Sequence, residues 1–293
     1  MAPRQASDHS CTIAATSHHM TQQAVLSVLV PVYNEENTIA EVLRRVLALG
    51  DVLKEVLVVD DGSSDHTAAI VGELQASEPR IRLHSLGRNT GKTAAIRRAL
   101  AEATGDIIIV QDADLEYDPA EIPEVIAPIL AGHADVVYGS RFLVRKAARV
   151  LYFYHYLANK TLTFLSDMLT NRNMTDVETG YKAFRADVIK PLELSSRGFG
   201  MEIEITALVS KTRARTYEVP ISYYGRSYEE GKKIGFTDGV LAGLYVLWYN
   251  LFAPHFPATR RYVARVNAAL EKRRAETARA TGRPVTASVQ ASR

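Results

Sequence analysis

The chain has 293 residues, 47% of them hydrophobic, which suffices for one large α/β domain with or without a smaller appendage. A formal net charge of +2, with basic and acidic residues nearly balanced, argues against a nucleic-acid partner. The single cysteine, Cys11, excludes an intramolecular disulfide framework and a cysteine-rich metal site, and fits a reducing, cytoplasmic compartment.

Residues 1–23 are polar, lack the apolar core of a signal peptide, and read as a disordered leader. A first predicted strand, 25–30, ends at Pro31 and is followed by Tyr33 and Glu35. Asn37 or Thr38 then caps a helix carrying Val42, Leu43, Val46 and Leu47 at helical spacing. A second strand, 55–59, runs into Asp60, Asp61 and Gly62, with Ser63, Ser64 or Asp65 as caps of the next helix. A third strand, 81–86, a loop, 87–93, and a helix, 94–103, follow. The fourth strand, 107–110, is wholly apolar, as in a parallel sheet covered on both faces, and leads into Asp112 and Asp114. A helix from 118 to about 130 and a fifth strand, 134–138, ending in Gly139, Ser140 and Arg141, complete the alternation. This pattern predicts a mostly parallel, doubly wound sheet whose polar loops share one rim.

After residue 142 the pattern changes. Residues 146–169 form a long helical stretch in which Arg145, Lys146, Arg149 and Lys160 interleave with aromatics. Such a helix covers a core, lies at a membrane surface, or does both with different faces. A polar loop, a strand at 180–185, a helix beginning near 199 and a short strand at 217–221 follow. The loop 223–236 is rich in Gly, Tyr and Lys and suited to ordering over a ligand. The most apolar stretch, 240–253, is too short to span a bilayer and reads as a core or interfacial helix. The Arg-rich end, 259–293, is helical to about 280 and then disordered.

Two Asp side chains one residue apart on extended backbone point the same way and repel unless a hard cation lies between them. Magnesium or manganese with diphosphate oxygens completes such a shell, whereas the plain alternative is a strand ending in a polar turn. Gly87 and Gly91-Lys92-Thr93 suggest a phosphate loop, but three residues separate them where a P-loop needs four. Lys92 approaching a diphosphate, or a tight turn at the glycines, fits better. A carboxylate at Asp61 can accept from a nucleobase imide or a ribose hydroxyl, and Tyr33 offers a stacking face.

Pro31 to Glu35, Val59 to Asp65, and Asp112-Ala113-Asp114, in this order, resemble the family-2 glycosyltransferases with the GT-A nucleotide-sugar fold. Asp114 to Pro119, Gly139-Ser140-Arg141, Glu178 to Arg185, and Arg226 to Lys233 narrow the resemblance to the polyprenyl-phosphate branch, which contains dolichyl-phosphate mannose synthases. The resemblance implies that Pro31, Tyr33, Glu35, Val59 and Asp61 hold the nucleoside. Asp112, Ala113 and Asp114 then meet ribose, diphosphate and metal, and Glu116, where the family often has Gln, is a further metal ligand. Arg226 and Lys232 neutralise the donor diphosphate, and Arg141 faces the acceptor phosphate. Asp176 or Glu178 orients the acceptor, or serves as base if the acceptor is a hydroxyl.

The implied organisation is a leader (1–23), a nucleotide-sugar half (24–142), an acceptor half with interfacial amphipathic helices (143–255) and a basic helical or disordered tail (256–293). The implied activity is metal-dependent, inverting transfer of mannose or glucose from a nucleoside diphosphate (GDP-mannose or UDP-glucose) to a polyprenyl phosphate. Mg2+ or Mn2+ serves as the cofactor, and the chain lies peripherally at the inner membrane face, with a homo-oligomer left open. The rivals are transfer to a hydroxyl of a sugar or glycolipid, and a non-catalytic binding module.

Overall fold

The computed structural model describes residues 25–143, 149–150, 152–196, 198, 200–225 and 236–281. Strands β1 (Leu26–Val32), β2 (Leu53–Asp60), β3 (Ile81–Ser85) and β4 (Ile107–Val110) alternate with helices α1 (Ile39–Leu47), α2 (Thr67–Ser77) and α3 (Lys92–Glu102). These strands are mutually parallel, with β2 between β3 and β1, and β1 between β2 and β4. After α4 (Ile122–Leu130) come β5 (Val136–Ser140), α5 (Phe153–Thr170), β6 (Lys182–Arg185), α6 (Ala186–Ile189), α7 (Gly200–Ser210) and β7 (Thr216–Pro220). The chain closes with α8 (Phe236–Leu247), a π-helical turn at Trp248–Phe252, and α9 (Pro257–Thr281).

The seven strands form one sheet in the order β3-β2-β1-β4-β6-β5-β7. It is mostly parallel, as the alternation predicts, but β6 runs antiparallel to both β4 and β5. This reversal positions the site. Parallel β4 and β5 end at the rim where β6 begins, so the 176–181 segment enters there and faces the loop after β4.

Successive strand residues point to opposite faces. Leu29, Leu57, Val59, Ile108 and Val136 pack on one side with residues of α3, α7 and α9. Val28, Val30, Val58, Ile109 and Val137 pack on the other with α1 and α4. Helix α9 is basic overall, yet Tyr262, Val266 and Leu270 form a buried stripe in the same cluster as Leu29. Each such side chain contributes about 1.5–3 kcal/mol of burial. β5 starts two residues later than the alternation predicts. The Ala134 N–H is taken by Pro128 O at the end of α4, and the Asp135 N–H by Arg215 O. No described helix is long and apolar enough to cross a membrane.

Candidate active site

The loops after β1 and β2 are tied together by a row of hydrogen bonds. Asn34 N–H donates to Ser63 Oγ (2.9 Å), Glu35 N–H to Thr67 Oγ1 (2.8 Å) and Glu36 N–H to Asp65 Oδ2 (3.1 Å). Ser64 N–H returns to Asn34 Oδ1 at 2.8 Å. Helix α2 has His66, not one of the three predicted residues, at its N-cap and without a side-chain cap; Asp65, one residue earlier, accepts from Thr67 N–H at 3.0 Å. Gly62, at φ +77°, lets the second loop pass the third, since a Cβ there would lie 2.6 Å from the Arg88 carbonyl carbon. Gly62→Ala is therefore expected to destabilise the protein by about 2 kcal/mol, measurable by urea unfolding.

Tyr33 lies beyond β1 and is 43% exposed, so its ring face is accessible. Glu35 sits in the same loop, where its carboxylate accepts from Thr38 Oγ1 at 3.0 Å. Val59 has its side chain in the hydrophobic core, so only its backbone faces the rim. Asp61 is buried, and its carboxylate is engaged within the protein. Thr90 N–H and Oγ1–H donate to Oδ1 at 2.7 and 2.9 Å, and Gly91 N–H to Oδ2 at 2.7 Å. Asp61 thus fixes the turn at Gly91 (φ +95°), which starts α3 at Lys92.

The extended backbone of β4 stops at Val110, so Asp112 and Asp114 lie in a turn and not on a strand. Leu115 has φ +62°, and Asp114 Oδ1 accepts from Glu116 N–H at 3.1 Å. This reversal carries Glu116 away, and its Oε2 accepts from Tyr223 O–H at 2.8 Å. Among the described residues no three His, Cys, Asp or Glu side chains converge as a metal site, so Asp112, Asp114 and Glu116 do not form the predicted triad. Instead a cation of the protein's own meets Asp112. Lys92 Nζ lies 2.7 Å from Asp112 Oδ1 and 3.5 Å from Glu202 Oε1 on α7. Burial disfavours that ammonium, but the two carboxylates outweigh it and hold its pKa above the usual lysine value.

Ala113 is buried at the same turn. Gly180 brings the β6 entry against it, since a Cβ there would lie 2.9 Å from Asp112 Oδ2. Tyr117 and Tyr181 brace this approach with rings stacked 4.9 Å apart, and Gly180 N–H donates to Tyr117 Oη at 3.0 Å. Tyr181 O–H donates to Gln111 Oε1, locking the residue before Asp112.

Arg141, just past β5, is clamped by Asp176. Its Nε and Nη2 donate to Oδ2 and Oδ1 at 2.6 and 2.7 Å, and its backbone N–H to Oδ2 at 3.1 Å. Burial alone would raise the Asp176 pKa, but the Arg141 charge and hydrogen bonds overcome it and hold it below the usual range. Asp176 is fully buried and positions Arg141. The guanidinium also lies 5.1 Å from the Tyr223 ring centroid. Glu178 Oε1 is buried without a hydrogen-bond partner among the described residues. Burial and then the Glu202 carboxylate push its pKa up to about 7. Lys182 nearby is lowered to about 8 by burial, against the pull of Glu202, Glu178 and Asp176. The stability that a protonated Glu178 contributes is present below its unfolded pKa of 4.5 and is lost as pH rises through about 7. Glu178→Gln is expected to flatten that loss, raising Tm by about 3 °C at pH 8 relative to the parent, with little change at pH 4.

Arg226 and Lys232, predicted to meet the diphosphate, lie outside the described residues. The sequence reading missed Glu202, although a carboxylate within the apolar segment that forms α7 is itself a signal.

The sequence model of glycosyl transferase family 2 matches residues 27–192. Dolichol-phosphate mannosyltransferase from Pyrococcus furiosus is 32% identical over 215 residues, covering 72% of this chain and 60% of that one. Undecaprenyl-phosphate 4-deoxy-4-formamido-L-arabinose transferase from Edwardsiella ictaluri is 32% identical over 212 residues, covering 71% and 62%. The chain therefore spans about 60% of the length of these curated relatives. Glucosyl-3-phosphoglycerate synthase from Mycobacterium tuberculosis, in complex with phosphoglyceric acid, superposes with a TM-score of 0.59 at 22% identity, covering 78% of this chain and 80% of that one. The same synthase with Mn2+, UDP and glucosyl-3-phosphoglycerate gives 0.57 at 22% identity, with the same coverage. This likeness shows the GT-A fold.

Proposed function

The chain belongs to glycosyl transferase family 2, and on that premise we propose that it moves a hexose from a nucleoside-diphosphate sugar to a polyprenyl phosphate at a membrane surface. The donor, mannose or glucose on GDP or UDP, would lie along the rim formed by the loops after β1, β2 and β4. Tyr33 supplies a stacking face, and Pro31, Glu35, Asp61 and the Val59 backbone shape the nucleoside end. Asp112 and Asp114 would hold Mg2+ or Mn2+, because such ions bind through one or two carboxylates and substrate phosphates. The pairing of Asp112 with the Lys92 ammonium supports this reading, since it places a positive charge on that carboxylate. When bound, the metal would stabilise charge developing on the departing diphosphate. Arg226 and Lys232, outside the described residues, would add counter-charge to the diphosphate.

The acceptor phosphate would meet Arg141, whose guanidinium is held in one orientation by Asp176. A phosphate monoester oxygen is ionised near neutral pH, so attack needs orientation more than proton removal, and direct displacement inverts the anomeric carbon.

The observation that carries the lipid acceptor is an apolar face beside Arg141. Phe142 touches Tyr156 of α5 edge-on at 5.4 Å, and Lys160 of α5 lies 4.5 Å from the Phe142 ring centroid. Leu162, Leu165 and Leu169 of α5 pack with Ala242 and Val246 of α8. The remaining sides of these helices expose Phe153, Phe164, Met168 and Leu244, and the π-helical turn after α8 exposes Trp248 and Phe252. Exposed apolar residues in such number mark an interaction site, and the names of the two curated relatives favour a lipid phosphate. Replacing Phe164 and Trp248 together by Ser is expected to weaken binding to anionic liposomes at least about tenfold, read by co-sedimentation. Unchanged partition would remove the membrane from this account.

A hydroxyl acceptor is the second reading, favoured by Glu178, whose pKa of about 7 suits a general base. Activity of Glu178→Gln separates the two: a severe loss marks a hydroxyl acceptor, a mild one a phosphate.

A further inference from the structure

Lys92 faces two carboxylates on different parts of the chain. Its Nζ contacts Asp112 Oδ1 at 2.7 Å and stands 3.5 Å from Glu202 Oε1. The second oxygen of Glu202, Oε2, is buried and has no hydrogen-bond partner among the described residues. A buried carboxylate oxygen left without a donor is costly, and it marks a place where a donor arrives in another state. Glu178, close enough to repel Glu202, has a buried oxygen without a partner as well. The ammonium of Lys182, which also feels these two carboxylates, donates to Val177 O and Thr179 O, so Glu202 Oε2 and Glu178 Oε1 stay without a donor while Lys92 is on Asp112.

We propose that Lys92 is a resident counter-ion with two seats: it occupies Asp112 until a divalent cation and diphosphate arrive there, and then moves to Glu202. This rests on the reading of Asp112 as a metal ligand. An ammonium and a divalent ion on one carboxylate repel each other, so the ion is admitted only as the lysine leaves. The move is short because the second carboxylate is already within reach. Its arrival supplies the missing donor to Glu202 and offsets the repulsion between Glu202 and Glu178.

The test is Mn2+ binding, followed by electron paramagnetic resonance, with UDP and GDP present in turn. The full-length protein is compared with Glu202→Gln, Lys92→Met and the double variant, each first shown to retain cooperative thermal unfolding. Glu202→Gln removes the charge of the second seat, leaves Lys92 on Asp112, and is expected to weaken Mn2+ binding about tenfold. In the Lys92→Met background the same change is expected to have no effect, because no ammonium needs a seat. An equal effect in both backgrounds, or none in either, overturns the switch. Glu202→Asp keeps the charge and tests the same point if the Gln variant fails to fold: it retains Mn2+ binding closer to that of the parent. Parent protein that takes up no Mn2+ with either nucleotide overturns the metal reading and the switch with it, whereas normal uptake insensitive to Glu202 overturns the switch alone.

Discussion

Asp114→Asn is expected to lower sugar transfer by about 10²–10³-fold while leaving Tm within about 2 °C of the parent. The two effects separate because the residue has two tasks. Its Oδ1 accepts the Glu116 N–H that closes the turn after β4, and Asn keeps that acceptor. Asn does not keep the negative charge on which a divalent cation and the departing diphosphate depend. The side chain lies at a turn, not in the core, so the change leaves no cavity. Steady-state transfer assays with saturating Mn2+, together with a thermal melt, check both halves. Undiminished transfer would remove Asp114 from the chemistry, and a large fall in Tm would mean that the turn itself needs the charge.

Asp176→Asn is expected to behave in the opposite way, costing about 3–5 kcal/mol of stability as well as activity. Asp176 is fully buried, and both its oxygens are committed to Arg141. Asn turns one of them into an N–H donor facing a guanidinium N–H, which leaves a largely buried cation with half its partner. The corresponding fall in Tm is about 10 °C. Arg141 would also lose the orientation in which it can meet an acceptor phosphate. Asp176→Asn combined with Arg141→Met removes the uncompensated charge, and is expected to recover part of the stability but none of the transfer. Failure to recover would mean that Asp176 supports the fold by a route other than Arg141.

The strand–helix alternation up to Arg141 was legible because apolar runs covered on both faces and loops rich in Asp and Gly mark β1 to β5. The antiparallel insertion of β6 was not. Its direction depends on how the chain returns after α5, and the period of a short apolar run carries no sign. The geometry at Asp112 and Asp114 was misread for a local reason: the strand stops at Val110, and a left-handed Leu115 re-aims Glu116 at Tyr223. Asp61 was read as facing a ligand, and its hold on Thr90 and Gly91 was not legible, because those partners belong to the loop after β3. Lys92 was recognised as a cation bound for the site, but its partners were beyond reach. One lies on the turn after β4 and the other on a helix some 110 residues away, so only the folded sheet brings them together. Exposed aromatics on α5 and around Trp248 were visible as amphipathic stretches, and the structure shows which of their sides is buried against the other.

The most direct test of the account gives purified full-length protein a choice. Radiolabelled GDP-mannose and UDP-glucose are supplied in turn with Mn2+, together with a short polyprenyl phosphate or the corresponding polyprenol, in detergent or liposomes. Label is expected in a lipid fraction that depends on the phosphate and on one of the two donors, with inverted anomeric configuration in the product. Donor hydrolysis with no lipid product, or equal transfer to the polyprenol hydroxyl, would contradict it.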